Sequence, residues 1–371
     1  MQTGTDEPEP DGVTICSYQL ANQPKVFAKL SAYKVDLLIM DESHFLKGHE
    51  AKRSANTLGR DGLIRNAHRA WAISGTPAPN HYGELWTLLH VFGVYPYKYD
   101  SFVRRFCKGY MSQYGFRVTG SKNAEHLRPM LQKIMLRRKM DDVMSEIPQM
   151  TMNEHVLQPG DIDEEVWFPE FKFDPGKRNA MQLQREALEA VMLDDSKTQE
   201  QKLRVIEGMF DSTSTIRKWI GLSKVRPYAH LIRDEMESGL DKIVVFAMHR
   251  DVILCLQEEL KEFDPLVIYG GTAPKKRQRR IDKFQNTKTH RVFIGQVVAA
   301  GTGIDLTAAH NLDFLEASWV PGDNLQAAMR VRRIGQTKPV RGRFITLAGS
   351  VDEAVQRSLR NKLISMKELF D

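Results

Sequence analysis

The stretch that most constrains this chain is Val35 to His44, which reads Val-Asp-Leu-Leu-Ile-Met-Asp-Glu-Ser-His. Its first six residues form a compact apolar run of the kind that makes a buried parallel strand. Asp41, Glu42, Ser43 and His44 then arrive together where that strand must end. In open α/β sheets, ligands sit just beyond the carboxyl ends of the strands. Two adjacent carboxylates at such a point suit a metal–phosphate site. Asp41 can hold Mg²⁺ through water, and Glu42 can orient and deprotonate an attacking water. An isolated Asp-Glu pair after a strand is more often an exposed acidic turn, so the weight rests on the motifs further along the chain.

A second strand is expected at Arg69–Ser74, running into Gly75-Thr76-Pro77. Small hydroxyl residues in a tight turn there can bond both to the neighbouring Asp41–His44 loop and to a phosphate, although Ser-Gly-Thr-Pro is also ordinary turn chemistry. Upstream, Val13–Ser17 reads as a short strand and Gln19–Ala32 as a helix. Downstream, Glu84–Phe92 and Leu127–Met144 read as helical. Tyr95–Tyr110 interleaves aromatic and basic residues, which fits either nucleic-acid contact or a small aromatic subcore.

Thr151–Pro175 is acidic and proline-containing, and Asn179–Met209 reads as mixed-charge helices. A second α/β pattern comes next, with short apolar strands at Lys242–Ala247, Leu266–Tyr269, Val292–Ile294, Leu312–Leu315 and Phe344–Leu347. Helical stretches alternate with them, which implies a parallel, doubly wound sheet. The final helix, Val351–Phe370, is amphipathic and is expected to pack on that second lobe. The domain expectation is a first lobe over 1–149, a connector with a helical insertion over 150–215, and a second lobe over 216–371.

Two further strings carry chemistry. Gly301-Thr302-Gly303-Ile304-Asp305 lets backbone approach an anion, and Asp305 can accept a hydrogen bond from a ribose hydroxyl. Gln326–Gln336 reads Gln-Ala-Ala-Met-Arg-Val-Arg-Arg-Ile-Gly-Gln. Arg330 and Arg333, three apart, are expected on one helical face, where planar guanidinium groups suit a developing phosphate charge. Arg332, Lys338, Arg341 and Arg343 are read as bases touching solvent or a DNA backbone.

Composition limits the remaining classes. The 371 residues carry a net charge of +6, a lean toward a polyanionic partner. The three cysteines, Cys16, Cys107 and Cys255, lack Cys-x-x-Cys spacing and read as reduced thiols without a zinc site. No apolar run approaches a membrane span, and the acidic, proline-containing start is not a signal peptide. The expected setting is intracellular: cytoplasmic or nuclear, and the cytoplasm for a bacterial or phage protein.

In this order and spacing, the motifs resemble those of superfamily-two helicases. The wording DESHFLK, SGTP…GELWTLL, YGGTAPKKRQRRIDKFQ and RRIGQTKPV is similar to the Swi/Snf-type DNA-dependent ATPases, especially the annealing-helicase branch. The resemblance implies two RecA-like doubly wound lobes, ATP and Mg²⁺ as cofactors, and duplex or forked DNA as partner. It assigns Asp41 to Mg²⁺ and Glu42 to the catalytic water. Gln326, Arg330 and Arg333 would face the γ-phosphate. Asp305 and Gly303 would line the nucleotide, and His44, Ser74 and Thr76 would couple nucleotide state to DNA grip. Thr272, Arg277, Gly301, Thr302, His249 and Trp319 would lie along the DNA track.

This sequence departs from the family pattern at Arg332, where histidine is usual, at Glu316, where aspartate is common, and at Gly303-Ile304-Asp305, in place of Gly-Leu-Asn. It departs most at the phosphate loop. No Gly-x-x-x-x-Gly-Lys-Ser/Thr occurs, and Gly176-Lys177 is followed by Arg178. The expectation is therefore a member whose first lobe is incomplete, with the loop on a separate polypeptide or lost. A non-catalytic DNA-binding protein is the competing expectation.

Overall fold

The computed structural model describes residues 1, 5–9, 11–113, 115–138, 142, 144, 146–158, 210–300 and 303–370. The chain divides into two compact units, Met1–Arg137 with Arg360–Asp371, and Arg138–Leu359.

In the first unit, strand β1 (Val35–Met40) pairs in parallel with β2 (Ala67–Ala72). Two short helices, α1 (Tyr18–Ala21) and α2 (Pro24–Ser31), precede β1 in place of the single expected helix. Their break falls at Asn22–Gln23, where Pro24 opens the second helix. Val13–Ser17 is irregular rather than a strand, with Val13 and Ile15 exposed. Helix α3 (Lys52–Leu58) lies between β1 and β2 in sequence. Leu38, Met40, Ala70 and Ala72 bury one sheet face against Leu46 and Leu58.

The other face corrects the expectation of a buried strand. Ile39 is 53% exposed and Trp71 56%, with Val35 and Ile73 also open to solvent. Parallel sheets are normally covered on both faces. Among the described residues, nothing covers this one.

Helices α4 (Trp86–Val91), α5 (Tyr99–Phe106) and α6 (Ala124–Gln132) and the antiparallel hairpin β3 (Cys107–Ser112)–β4 (Gly115–Ser121) complete the unit. Tyr95, Phe102 and Phe106 are buried ring against ring, so the aromatic–basic stretch builds a subcore. Helix α6 stops at Gln132, short of the expected Met144.

The second unit holds a six-stranded sheet in the order β5-β10-β9-β6-β8-β7, parallel throughout. The strands are β5 (Met150–Leu157), β6 (Ile243–Ala247), β7 (Leu266–Ile268), β8 (Val292–Gln296), β9 (Asn311–Phe314) and β10 (Val340–Leu347). The helices are α7 (Phe210–Glu237), α8 (Arg250–Glu259), α9 (Pro274–Asn286), α10 (Val297–Ala300), α11 (Pro321–Ala328) and α12 (Val351–Phe370).

Strand β6 is buried along its whole length, and its residues alternate between two cores. Val244 and Phe246 face Ile281 and Phe284 of α9, with Val355 of α12 in the same core. Ile243, Val245 and Ala247 share the second core with Val225 and Tyr228 of α7 and Leu256 of α8. That two-sided cover is the doubly wound arrangement expected from alternating strands and helices.

Strand β5 lies where a connector was expected. Met150–Leu157 pairs with β10 at the sheet edge, residue for residue from Val340↔Met150 to Leu347↔Leu157. Its polar, alternating sequence suits an edge position, which long-range pairing alone reveals. The expected helical insertion lies outside the described residues. Helix α12 also splits differently from expectation. Val351, Val355 and Leu359 join the second unit's core, whereas residues 360–371 belong to the first unit. There Leu369 is buried with Tyr82 and Phe102, and the Tyr82 hydroxyl donates to Ser365 O at 2.6 Å.

Candidate functional site

The first group of site residues lies at the carboxyl ends of β1 and β2. The ladder continues past the strands, with Ile73 N donating to Met40 O at 2.9 Å and Ser43 N to Ile73 O at 2.8 Å. Asp41 accepts from Glu42 N at 2.9 Å, and the Tyr18 hydroxyl donates to Asp41 O at 2.9 Å. Glu42 sits at φ 47°, ψ 49°, in the left-handed region. For a residue with a side chain, this conformation costs roughly 1–2 kcal/mol, and such strain collects at functional turns.

The turn brings the predicted residues together. His44 Nδ1 lies 3.2 Å from Glu42 Oε2 and 3.1 Å from Ser74 Oγ. Ser74 Oγ also accepts from the N–H of Thr76, which is buried. Glu42, His44, Ser74 and Thr76 thus form one contact set spanning both strand ends, with the His44 ring between the Glu42 carboxylate and the Ser74 hydroxyl. Glu84 anchors the segment from below: nearly buried, it accepts from Asn80 N and pairs with Lys47 at 2.7 Å. Burial works against the Glu84 carboxylate, but Lys47, His81 and Asn80 together hold its pKa below the ordinary value.

In the second unit His249, Thr272 and Trp319 follow strands β6, β7 and β9, at the carboxyl edge of the six-stranded sheet, the position that binds ligands in open α/β folds. His249 follows β6 and caps the start of α8. Its Nδ1–H donates to Glu316 Oε1 at 2.6 Å, while Glu316 Oε2 accepts from Met248 N and His249 N, each at 2.9 Å. Trp319 packs beneath the Arg217 guanidinium at 5.3 Å, and buried Arg217 donates to Ala317 O. Thr272 follows β7, its hydroxyl accepting from Tyr269 N at 3.2 Å. Arg277 is half-buried on α9. Gly301 and Thr302 lie outside the described residues, and Gly303 comes after them at φ +62°.

Sequence reasoning missed two supports here. Gln296 ties strand ends together, accepting from Gly270 N at 2.8 Å and donating to Met248 O at 3.0 Å. Glu316, noted only as a departure, is the buried acceptor that sets the His249 ring. Neither carries a local signal, because their partners are distant in sequence.

The arginine-rich stretch corrects one expectation. Helix α11 ends at Ala328, so Arg330 and Arg333 lie on turns instead of one helical face. Arg333 Nη1 pairs with Asp305 Oδ1 at 2.9 Å, both side chains substantially exposed. Arg330 O accepts from Leu306 N at 2.8 Å, and Gln326 is half-buried at the end of α11. Buried Gln336 holds the loop: its amide donates to Ala309 O at 2.7 Å, and its oxygen accepts from Thr337 N and Lys338 N, each at 3.0 Å.

Arg332 is buried and donates to Pro148 O at 2.8 Å, and Arg343 bonds Asp313 and Glu235, so neither is the solvated base expected. Among the described residues, no cluster of three or more His, Cys, Asp or Glu side chains could hold a metal. Mg²⁺ needs fewer: one or two carboxylates, water and substrate phosphates suffice. Asp41, on an exposed turn at a strand end, fits that donor set. No described helix is long and apolar enough to cross a membrane.

With this geometry in view, the comparisons with known proteins define the class. Residues 5–235 match the SNF2-related domain, and residues 224–335 the helicase conserved C-terminal domain. The chain belongs to the SNF2-related family of helicase-like ATPase domains, as the motifs implied.

It is 29% identical, over 97% of its length, to the Xenopus laevis SWI/SNF-related matrix-associated actin-dependent regulator of chromatin subfamily A-like protein 1, covering 35% of that relative. It is 26% identical, over 94% of its length, to the human DNA annealing helicase and endonuclease ZRANB3, covering 31% of it. The chain thus spans about a third of the curated relatives it matches. The crystal structure of the C-terminal part of the Fun30 ATPase domain overlays with a TM-score of 0.35 at 21% identity, over 51% of this chain and 74% of that one. The fold assignment rests on the sheet order rather than on that overlay.

Proposed function

We propose that this chain is the larger part of an ATP-driven motor that moves on or remodels duplex or forked DNA. The observation that carries the reading is the contact set Glu42–His44–Ser74–Thr76, which joins the acidic turn after β1 to the hydroxyl turn after β2. A carboxylate held this way can orient and deprotonate an attacking water, while Asp41 would hold Mg²⁺ through a carboxylate oxygen. When bound, Mg²⁺ neutralises charge on the transferring phosphoryl group.

Arg333 and Arg330 are the guanidinium groups suited to that developing charge, with Gln326, Asp305 and Gly303 beside them. His249, Thr272, Arg277 and Trp319 are the residues assigned to DNA, and the family resemblance adds Gly301 and Thr302. The family resemblance and the relatives' names support DNA as partner, and the chromatin in the Xenopus laevis relative's name supports a nuclear setting over the cytoplasmic alternative.

None of the 371 residues forms a Gly-x-x-x-x-Gly-Lys-Ser/Thr loop. Backbone amides and the lysine of such a loop hold the β- and γ-phosphates. Hydrolysis therefore needs that loop from a segment outside these residues, on the same or a separate polypeptide. The uncovered apolar face of β1 and β2 is where further secondary structure would pack.

The test measures DNA-stimulated ATP hydrolysis after adding a family segment that bears the loop. The expected result is hydrolysis that Glu42→Gln abolishes and that Arg333→Ala lowers at least 10²-fold, given typical arginine-finger effects of about 10³–10⁵. The absent loop favours a second reading, a DNA-binding protein without hydrolysis. Salt-dependent DNA binding, no hydrolysis after reconstitution, and indifference to Glu42→Gln would establish that reading instead.

A further inference from the structure

Helix α9 (Pro274–Asn286) carries six cations, Lys275, Lys276, Arg277, Arg279, Arg280 and Lys283, against one carboxylate, Asp282. That net +5 compares with +6 for the entire chain, so the rest of the protein is almost neutral. Of the six, Lys275, Lys276 and Arg279 are exposed, Arg277 and Lys283 are half-buried, and Arg280 turns inward to donate to Val267 O. At 3.6 residues per turn, Lys275, Lys276, Arg279 and Lys283 fall within an arc of roughly 100°. That arc lies opposite buried Ile281 and Phe284. Among the described residues, no carboxylate pairs with any of the four, and Asp282 is engaged by Gln278 at 2.8 Å.

Helix stability does not account for this pattern. The first turn contains no acidic residue and begins with Lys275 and Lys276 at the positive end of the helix dipole. Cations there are disfavoured by roughly 0.3–1 kcal/mol each. Surfaces that serve only solubility intersperse both signs. The helix N-terminus and the two lysines instead add to one positive field.

The position of that field is specific. Helix α9 begins two residues after Thr272, at the carboxyl end of β7, which is the edge strand of the sheet. Over 13 residues the helix runs about 20 Å. Its outward face leads away from the row of strand-end residues along the side of the second unit.

We propose that the outward face of α9 holds the sugar–phosphate backbone of duplex DNA where the duplex extends beyond the strand-end row. The inference rests on the DNA reading above and adds a second, nucleotide-independent contact. Lys275, Lys276, Arg279 and Lys283 contact phosphates and read no base sequence, since phosphate contacts position without specifying.

The test is equilibrium binding of a 30-base-pair duplex, by fluorescence anisotropy across a salt series, with the intact chain and with Lys275→Gln/Arg279→Gln/Lys283→Gln. Glutamine keeps high helix propensity, and circular dichroism checks the fold. The slope of log K against log salt should fall by about three, close to one per lost cation. Affinity near 0.1 M salt should fall at least tenfold. The single Arg279→Gln variant should lower the slope by about one, which keeps the test decisive if the triple variant misfolds.

An unchanged slope in folded variants overturns the proposal while leaving the DNA reading intact. No salt-dependent duplex binding by the unsubstituted chain overturns both. Polyglutamate binding that the triple variant loses, with the duplex slope unchanged, assigns the face to an acidic protein partner and overturns the proposal as well.

Discussion

Replacing Arg343 with methionine should expose how the second sheet is held together. Arg343 on β10 stands opposite Asp313 on β9 in register. Its Nε donates to Asp313 Oδ1 at 2.9 Å and its Nη2 to Asp313 Oδ2 at 2.7 Å, while the same guanidinium pairs with Glu235 of α7. The Tyr228 hydroxyl donates to Asp313 Oδ2 at 2.9 Å. Asp313 is almost wholly buried. Burial pushes its carboxyl pKa up, and the Arg343 guanidinium pulls it back.

Arg343→Met leaves that carboxylate with the tyrosine alone. Stranding one member of a buried ion pair costs about 3–5 kcal/mol. The pH dependence has a definite sign. A carboxyl raised in the folded state stabilises the fold below its unfolded pKa and loses that contribution as pH rises through the folded value. Removing Arg343 raises Asp313 further, so the loss should be largest at neutral pH and shrink toward pH 5.

The assay is amide hydrogen exchange of peptides from β9 and β10, which report opening of core strands. At tenfold per 1.4 kcal/mol, their exchange should accelerate by about 10² to 10³·⁵ at pH 7. The double variant Asp313→Asn/Arg343→Met should recover much of the loss, because no buried charge is stranded. A single-variant cost below about 1 kcal/mol, or one independent of pH, would refute the argument.

Further substitutions have equally definite outcomes. Lys224 is buried and donates to Leu315 O at 2.5 Å, Ile345 O at 2.8 Å and Asp352 at 2.6 Å; Lys224→Met should cost about 3 kcal/mol, read as a fall of roughly 6–12 °C in Tm. Glu42→Gly relieves the left-handed strain, so thermal melting should show stability unchanged or raised by up to about 1.5 kcal/mol, after roughly 0.5–1 kcal/mol for glycine's unfolded-state freedom. Burial pushes the Cys107 thiol up to about 12, so native alkylation at pH 8 should leave it unmodified until the chain is unfolded, as peptide mass spectrometry would show. If His249 faces DNA, the effects of Glu316→Gln and His249→Ala on duplex affinity should be strongly non-additive, since the 2.6 Å hydrogen bond makes them one unit.

Short-range pattern determined a good part of this protein. The apolar run before Asp41 placed β1, and the alternation after Lys242 placed five strands of the second sheet within a few residues. Adjacency in sequence made Asp41, Glu42, Ser74 and Thr76 candidates, and their neighbourhood required only two parallel strands in register. Those features depend on periodicity and turn chemistry, which operate over a handful of residues.

What tertiary structure alone decided depends on partners far apart in the chain. Strand β5 exists because its backbone pairs with β10, some 190 residues later, not because its sequence is strongly apolar. Arg332 and Arg343 look like surface bases until Pro148, Asp313 and Glu235 arrive to satisfy them. The arginine stretch has helical spacing, yet buried Gln336 and the backbone bond to Leu306 hold it as turns. A buried polar group must find hydrogen bonds wherever the fold supplies them, and no local pattern encodes which distant carbonyl or carboxylate that will be.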